Sequence, residues 1–224
     1  MHLLDTDVVR QYGATLLQGL GITVLLTLIV ISLSLVLAIP VALLRLSPSR
    51  LLRGIAGLYV EVIRGTPLLL QLIYIYYVLP TIGINLNPFL AAVVGLTLNY
   101  TAYMSEVYRG GIQAVPRNQW EAAATVGMTT PTAFLRIILP QVFRIVTPTL
   151  GNYFISLFKD TALASVVTVQ ELTFTGQIIS ARSYQYFTIY TVTGLLYLAV
   201  GYPSSLLVKW LEKRTQRGYH RRHA

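Results

Sequence analysis

Three long stretches of this chain contain no charged residue. They cover residues 11–44, 65–105 and 183–208. Each has at least the roughly 20 residues that an apolar helix needs to cross a bilayer. Their apolar residues run continuously and lack the strict alternation of a membrane β-barrel strand. The second stretch is too long for one crossing, and Pro80 and Pro88 divide it. The pattern predicts an all-α integral membrane protein with a single domain over residues 1–224.

The composition supports this prediction and excludes several classes of site. Hydrophobic residues make up 54% of the chain and charged residues 11%, whereas soluble proteins carry about 25% charged residues. The net charge of +9 comes from basic residues beside the apolar stretches. We therefore expect these residues to set topology and to contact anionic lipid, not nucleic acid. There is no cysteine, and His220 and His223 are too few for a metal site, so no metal is expected.

The basic residues predict how the chain crosses the membrane. We place about five transmembrane helices, with the N-terminus outside and the C-terminus in the cytoplasm, because arginine and lysine concentrate in alternate connections. The first helix is longer than one crossing, so it is tilted or begins along the outer surface. The long loop over 109–144 is cytoplasmic. The five predicted crossings are residues 11–44, 55–79, 88–108, 141–160 and 186–210.

The sequence predicts two short helices within residues 116–140 of the cytoplasmic loop. We call this segment the knuckle. Pro116 suits the start of a helix over 117–126, and Gly127 suits a left-handed turn at its end. Thr130 and Pro131 then begin a second helix that runs to about residue 138 and stops before Pro140. The alternative is an ordinary amphipathic connector whose alanines merely favour helix.

Charged residues inside the apolar stretches need partners, because an unpaired charge at mid-membrane costs at least ~2.5 kcal/mol. Glu61 and Arg64 lie three residues apart on a helix and can pair. Gly65 and Pro67 interrupt that helix, and broken membrane helices often line a water-filled cavity. Lys159 and Asp160 pair with their neighbours or face that cavity.

Four segments resemble the membrane subunits of ATP-binding-cassette importers. The knuckle contains E-A-A-x3-G-x9-I-x-L-P from Glu121 to Pro140, which is similar to the EAA loop of that family. The other three are similar to the branch that takes up polar amino acids of the histidine, glutamine, glutamate, arginine and opine type. They are R-G-T-P-L from Arg64, E-x-x-R-G-G-I from Glu106, and N-x6-K-D-T from Asn152. The last departs from the branch pattern at residue 162, where alanine replaces the usual serine.

The resemblance implies a type I importer permease fold and a permease subunit in the bacterial cytoplasmic (inner) membrane. The chain has no G-x4-G-K-[ST] segment, so it is not expected to be an ATPase itself. It is expected to hold no cofactor, because ATP and Mg²⁺ bind to a cytoplasmic ATPase dimer. The other implied partners are a second permease chain, identical or similar, an extracytoplasmic solute-binding protein and an amino-acid substrate. Residues 116–140 are the implied coupling loop through which the ATPase drives alternating access.

Two sets of site residues follow, and no catalytic residue is among them. The expected ATPase-coupling residues are Trp120, Glu121, Ala122, Ala123 and Gly127. Uncharged groups are preferred for direct contact with the solute, and the charged ones for the gate and helix packing. The expected pathway or gate residues are Arg64, Gly65, Thr66, Pro67, Asn99, Tyr103, Glu106, Asn152, Tyr153, Lys159, Asp160 and Thr161.

Three other functions fit parts of the sequence. An importer of another small polar solute would carry the same knuckle. An ion-coupled secondary transporter or channel would not need one. A membrane-embedded enzyme would need a catalytic pair, and Glu106 and Asp160 are the only acidic residues placed deeply enough.

Overall fold

Helices make up all of the regular secondary structure in the computed structural model, which describes residues 5–216. The prediction of an all-α protein is therefore confirmed for that range. The end of the basic tail, with His220 and His223, lies outside the described residues. The helices are α1 Thr6–Arg45, α2 Arg50–Gly65, α3 Leu68–Ile73, α4 Pro88–Ala114, α5 Arg117–Thr125, α6 Thr130–Ala133, α7 Leu139–Asp160, α8 Leu172–Ser183 and α9 Tyr186–Gln216.

The core lies where α1, α4 and α7 meet. Its buried residues include Leu26 and Val30 of α1, Leu96 of α4 and Leu157 of α7. The outward faces of α1 and α9 are also apolar, as Val36 and Leu198 illustrate with exposed fractions of 67% and 60%. A water-soluble bundle would place polar residues on those faces. The surface is therefore suited to lipid, as the uncharged stretches predicted.

Within residues 5–216, three helical segments are long and apolar enough to cross a membrane: Thr6–Arg45, Thr130–Val167 and Tyr186–Arg214. The pair Arg50–Gly65 and Leu68–Ile82, bent by 105°, makes a fourth if it counts as one crossing. The predicted crossing in α4 has the length, but polar residues interrupt its apolar character. About half of α4 is buried, and it packs against α1, α2, α3 and α7. Five crossings and their direction stay a prediction.

The predicted helix stop before Pro140 is wrong. A π-helical turn over Phe134–Ile138 joins α6 directly to α7, and Pro140 occupies the first turn of α7. Proline lacks an N–H, which the first turn of a helix does not need for its internal hydrogen bonds. The helical path therefore continues from the knuckle into the membrane, and the crossing predicted at 141–160 belongs to the longer segment Thr130–Val167.

Glu171 joins three helices at a fully buried position. It caps α8 by accepting hydrogen bonds from the backbone N–H groups of Thr173 and Phe174. The hydroxyl of Tyr197 in α9 donates to the same carboxylate at 2.9 Å, and that of Thr23 in α1 donates at 3.4 Å. Burial raises the pKa of this carboxyl, and the four donors partly reverse the shift. The carboxylate therefore holds α8 between α1 and α9.

We expect Glu171→Ala to lower the free energy of unfolding by about 2–4 kcal/mol, because it removes a helix cap and leaves buried donors unsatisfied. Asn87→Ala is the matched control. Asn87 caps α4 through the N–H of Leu90 at an exposed site, so its loss should cost only about 1 kcal/mol. Thermal unfolding of the purified protein in detergent, followed by intrinsic fluorescence, measures both. Equal losses would contradict the proposed role of Glu171.

Candidate substrate pathway and coupling loop

The chain breaks sharply between α2 and α3. α2 ends at Gly65, Thr66 is extended with φ −119° and ψ 145°, and α3 begins after Pro67. A residue before proline is sterically driven out of the helical region, and proline cannot donate the next helical hydrogen bond. The sequence prediction of a break at Gly65 and Pro67 is therefore confirmed.

The side chain of Gln71 satisfies the carbonyl oxygens that this break leaves without helical partners. Its amide nitrogen donates to the carbonyl oxygen of Ile63 at 2.7 Å and to the hydroxyl of Thr66 at 2.8 Å. The Asn99 amide of α4 donates to the Gln71 carbonyl at 3.0 Å and fixes its orientation. Sequence reasoning missed Gln71. Its place one turn into the helix after the break was the available signal.

The break opens into a cavity of about 470 Å³ between α2, α4 and α7. Its wall combines charged groups, aromatic rings and the irregular backbone of the break. Irregular backbone at membrane depth is tolerated where it lines such a cavity. The lining residues are Arg64, Gly65, Thr66, Pro67, Leu68, Asn99, Tyr100, Tyr103, Tyr153, Ser156 and Asp160.

Eight of the twelve predicted pathway residues line this cavity, and four do not. Glu106 lies behind it and pairs with arginines. Asn152 and Lys159 are exposed, and Thr161 is buried with its hydroxyl donating to the carbonyl oxygen of Phe158. Helical phase accounts for Asn152, Lys159 and Thr161, because residues adjacent to a cavity-facing position turn about 100° away from it. Sequence reasoning missed Leu68, Tyr100 and Ser156 at the cavity wall.

Three tyrosines form the aromatic part of the wall. Tyr100 and Tyr103 lie one turn apart on α4, and Tyr153 of α7 packs against both at centroid distances of 6.1 Å. The ring of Tyr100 is almost fully buried, with its hydroxyl donating to Asp160 at 2.7 Å. Edge-to-face and tilted ring contacts of this kind favour one arrangement of the side chains. The tyrosines therefore form one packed aromatic surface between α4 and α7.

The carboxylate of Glu106 forms ion pairs with three arginines from three helices. Arg109 of α4 binds both of its oxygens at 2.8–3.1 Å, and Arg45 at the end of α1 binds one at 3.2 Å. Arg64 at the end of α2 lies farther away, at 4.0 Å. The expected pairing of Arg64 with Glu61 is wrong within the described residues. Helix spacing allowed that pair, but tertiary packing brings Glu106 to Arg64 instead.

Some of the predicted coupling residues are exposed on the surface of the knuckle, and others are packed inside it. α5 ends at Thr125, and Gly127 adopts the predicted left-handed conformation with φ +75°. Glu121, Ala122 and Gly127 are exposed, whereas Ala123 is buried. Trp120 is half-buried and stacks on Phe134 at 6.3 Å. Its ring thus joins the two halves of the knuckle.

The bundle has apolar outward faces and a cavity lined by polar and charged groups, as expected for a membrane protein that moves polar solutes. Residues 31–217 match the family model described as binding-protein-dependent transport system inner membrane component. The chain belongs to this family of importer permeases.

Similar proteins support this assignment. The L-cystine transport system permease protein TcyB of Bacillus subtilis is 42% identical over 213 residues, which cover 94% of this chain and 91% of that protein. The probable glutamine ABC transporter permease protein GlnM of the same organism is 37% identical over 203 residues, covering 91% and 94%. A chain from the crystal structure of an amino acid ABC transporter with histidines is 36% identical, with a TM-score of 0.88 and coverage of 94% and 99%. The fold is therefore the predicted type I importer permease fold.

We expect Glu106→Gln to destabilise the protein by about 1–3 kcal/mol, because it leaves a cluster of partly exposed arginines without their countercharge. Adding Arg45→Gln should restore part of the loss, since one unbalanced cation is then removed. The fraction of protein that stays monodisperse after heating in detergent measures both changes. A double variant that is no more stable than Glu106→Gln would argue against charge balance as the role of Glu106.

Proposed function

We propose that this chain is the permease subunit through which an ATP-driven importer moves amino acids across a bacterial cytoplasmic membrane. The family match supports the importer assignment. The named relatives, which transport cystine or probably glutamine, support amino acids as the solute class. The cavity beside the broken helix is the proposed position of the solute, because its wall exposes both backbone and charged groups.

One structural observation carries the proposed mechanism: the knuckle connects the two helices that hold the cavity wall. α4 carries Tyr100 and Tyr103 and leads into the knuckle at Pro116. The continuous segment Thr130–Val167 leaves the knuckle and carries Tyr153 and Asp160. A displacement of the knuckle would therefore reach both sides of the cavity through rigid helices.

The exposed face of the knuckle is the proposed contact with a cytoplasmic ATPase dimer. Glu121, Ala122 and Gly127 lie on this face together with Val126, whose exposed fraction is 70%. Small residues allow close approach, and an exposed valine supplies apolar contact area. Trp120 and Ala123 hold the shape of the knuckle from within. ATP and Mg²⁺ would bind to the ATPase, and this chain would receive only the motion.

The remaining partners follow from the same mechanism. A second permease chain, identical or similar, would complete the translocation pathway around a two-fold axis. An extracytoplasmic binding protein would deliver the solute from the side opposite the knuckle. ATP-driven closure of the two ATPase subunits would draw the knuckles together, and the cavity would open to the outside. Release of the nucleotide would reverse this motion.

Uptake by proteoliposomes tests the proposed function. The chain is reconstituted with its ATPase and its binding protein, and uptake of radiolabelled L-cystine, L-glutamine, L-histidine and L-arginine is measured. We expect accumulation of at least one amino acid that requires both ATP and the binding protein. Uptake driven by an ion gradient without the ATPase would instead indicate a secondary transporter. ATP-dependent uptake confined to other polar solutes would reject the amino-acid assignment.

Glu121→Lys should separate ATP hydrolysis from uptake. The substitution reverses the charge on the proposed contact face, so we expect uptake to fall at least about tenfold while the ATPase retains activity and the permease stays inserted. Glu212→Lys makes the same charge change on α9, which packs against α1, α7 and α8, and should leave uptake within about twofold. Normal uptake by a fully expressed Glu121→Lys variant would remove the knuckle from the coupling mechanism.

A further inference from the structure

The proposed ATPase contact face lies on α5 and the turn after it, and irregular backbone separates α5 from both helices of the cavity wall. Toward α4, Val115 and Pro116 are extended, with ψ of 124° and 142°. Toward α7, the chain passes through residues 126–129, the four-residue α6 and the π-helical turn. Residues at the ends of helices are where hinge motions take up changes in φ and ψ. A displacement of α5 that travelled only along the backbone would therefore be partly absorbed on both routes.

Pro140 accounts for the π-helical turn between α6 and α7. It has no N–H group, so it cannot donate to the carbonyl oxygen four residues earlier, as an α-helix requires. The helix widens there, and the N–H group of Leu139 donates to the carbonyl oxygen of Phe134, five residues back. Sharp bends in helices occur at such turns. The π-helical turn is thus a point at which the path from the knuckle into α7 can bend.

A hydrogen bond between two glutamine side chains spans this irregular backbone. Gln141, in the first turn of α7, donates from its amide nitrogen to the side-chain oxygen of Gln119 in α5 at 3.3 Å. The same nitrogen donates to the carbonyl oxygen of Ile137, one turn earlier, at 3.0 Å. Both glutamines are half-buried, and a hydrogen bond shielded from water is stronger than an exposed one. The side chains therefore connect α5 directly to α7.

The contact with Ile137 fixes the direction of this hydrogen bond. A backbone carbonyl oxygen can only accept, so the nitrogen of the Gln141 amide must face it. An amide nitrogen carries two N–H groups. The second N–H group of Gln141 then points to Gln119, whose side-chain oxygen must accept. Gln141 is therefore the donor of the pair and Gln119 the acceptor.

The stacking of Trp120 places a second contact next to the first. Trp120 follows Gln119 in α5, and its ring stacks on Phe134, the first residue of the π-helical turn. Gln141 lies beyond the other end of that turn. The ring contact thus holds α5 to the near side of the π-helical turn, and the glutamine pair holds α5 to its far side. With both contacts in place, the turn cannot bend without moving α5.

We propose that Gln119 and Gln141 form a clasp that carries a displacement of α5 directly to α7, with Gln141 as the positioning residue. The inference rests on the proposed function. α7 carries Tyr153 and Asp160 at the cavity wall, so the clasp joins the ATPase contact face to one side of the cavity. Without it, the irregular backbone absorbs part of the motion. The ATPase then hydrolyses nucleotide that moves no solute.

Reconstituted transport measures whether the clasp transmits motion. Proteoliposomes contain the chain, its ATPase and its binding protein, and the solute is a mixture of radiolabelled L-cystine, L-glutamine, L-histidine and L-arginine. The readout is the ATP hydrolysis that the binding protein stimulates, divided by the amount of solute accumulated. Misfolded permease contributes to neither quantity. A smaller amount of folded protein therefore leaves this ratio unchanged, whereas a lost clasp raises it.

Gln141→Met and Gln119→Met keep the length of the side chain and remove the hydrogen bond. We expect either substitution to raise the ATP hydrolysed per solute by about fivefold, the effect of one lost hydrogen bond. The double variant should be no worse than either single variant, because both remove the same contact. Gln119→Glu should stay within about twofold of the wild-type chain, because a carboxylate oxygen still accepts from Gln141.

Amide hydrogen exchange over residues 117–125 of the purified chain reports on the clasp without transport. Both methionine variants should exchange there about fivefold faster than the wild-type chain, since α5 has lost a tertiary contact. Gln177→Met is the matched control, because Gln177 is an exposed glutamine of α8. It should change neither the exchange over 117–125 nor the ATP hydrolysed per solute.

Three results would overturn the inference. Gln141→Met might move as much solute per ATP as the wild-type chain, or leave the exchange over residues 117–125 unchanged. Gln119→Glu might uncouple transport as strongly as Gln119→Met, which would show that an accepting oxygen is not what matters at residue 119. A wild-type complex without ATP-dependent uptake would instead reject the proposed function, and the inference with it.

Discussion

The polar interior depends on the ion pairs that the carboxylate of Glu106 makes with three arginines. This carboxylate draws Arg45, Arg64 and Arg109 together from the ends of α1 and α2 and from α4. Three guanidinium groups within a largely apolar bundle would repel one another without it. Because Arg109 and Arg45 lie closest, they neutralise Glu106 and leave Arg64 directed toward the cavity. One partly buried acid thus brings together arginines from three helices and leaves the cavity wall with a cation.

Different contacts stabilise the irregular backbone at the break after α2 and in the knuckle. At the break, Gln71 replaces the missing helical donors, and Asn99 anchors Gln71 to α4. In the knuckle, Gly127 adopts the positive φ that ends α5, and the stacking of Trp120 on Phe134 holds the two halves together. The continuous helical path from the knuckle to Asp160 relates the two irregular regions mechanically.

Local sequence signals predicted the elements well where one residue type has one dominant physical effect. The uncharged stretches indicated the apolar helices, and Gly65 with Pro67 indicated the break. Gly127 indicated the left-handed turn. The same reasoning failed at Pro140, because a proline is compatible both with a position just after one helix and with the first turn of the next. It also placed Asn152 and Lys159 at the cavity, since motif membership does not specify helical phase. The surface and buried positions within Trp120–Ala123 likewise depend on which face of α5 meets α6.

The sequence by itself indicated an all-helical membrane protein of the importer-permease type, with a broken second helix and a segment similar to the EAA loop of that family. The helical and membrane conclusions need only composition, spacing and local backbone preference, whereas the permease type came from the resemblance of four segments to a known family. Only the tertiary structure decided which charges meet. It paired Arg64 with Glu106 in place of Glu61, set Tyr100 against Asp160, and kept Arg64 and Asp160 apart across one cavity. Such contacts join residues 39–61 positions apart, and their distances depend on helix packing, which local sequence does not encode.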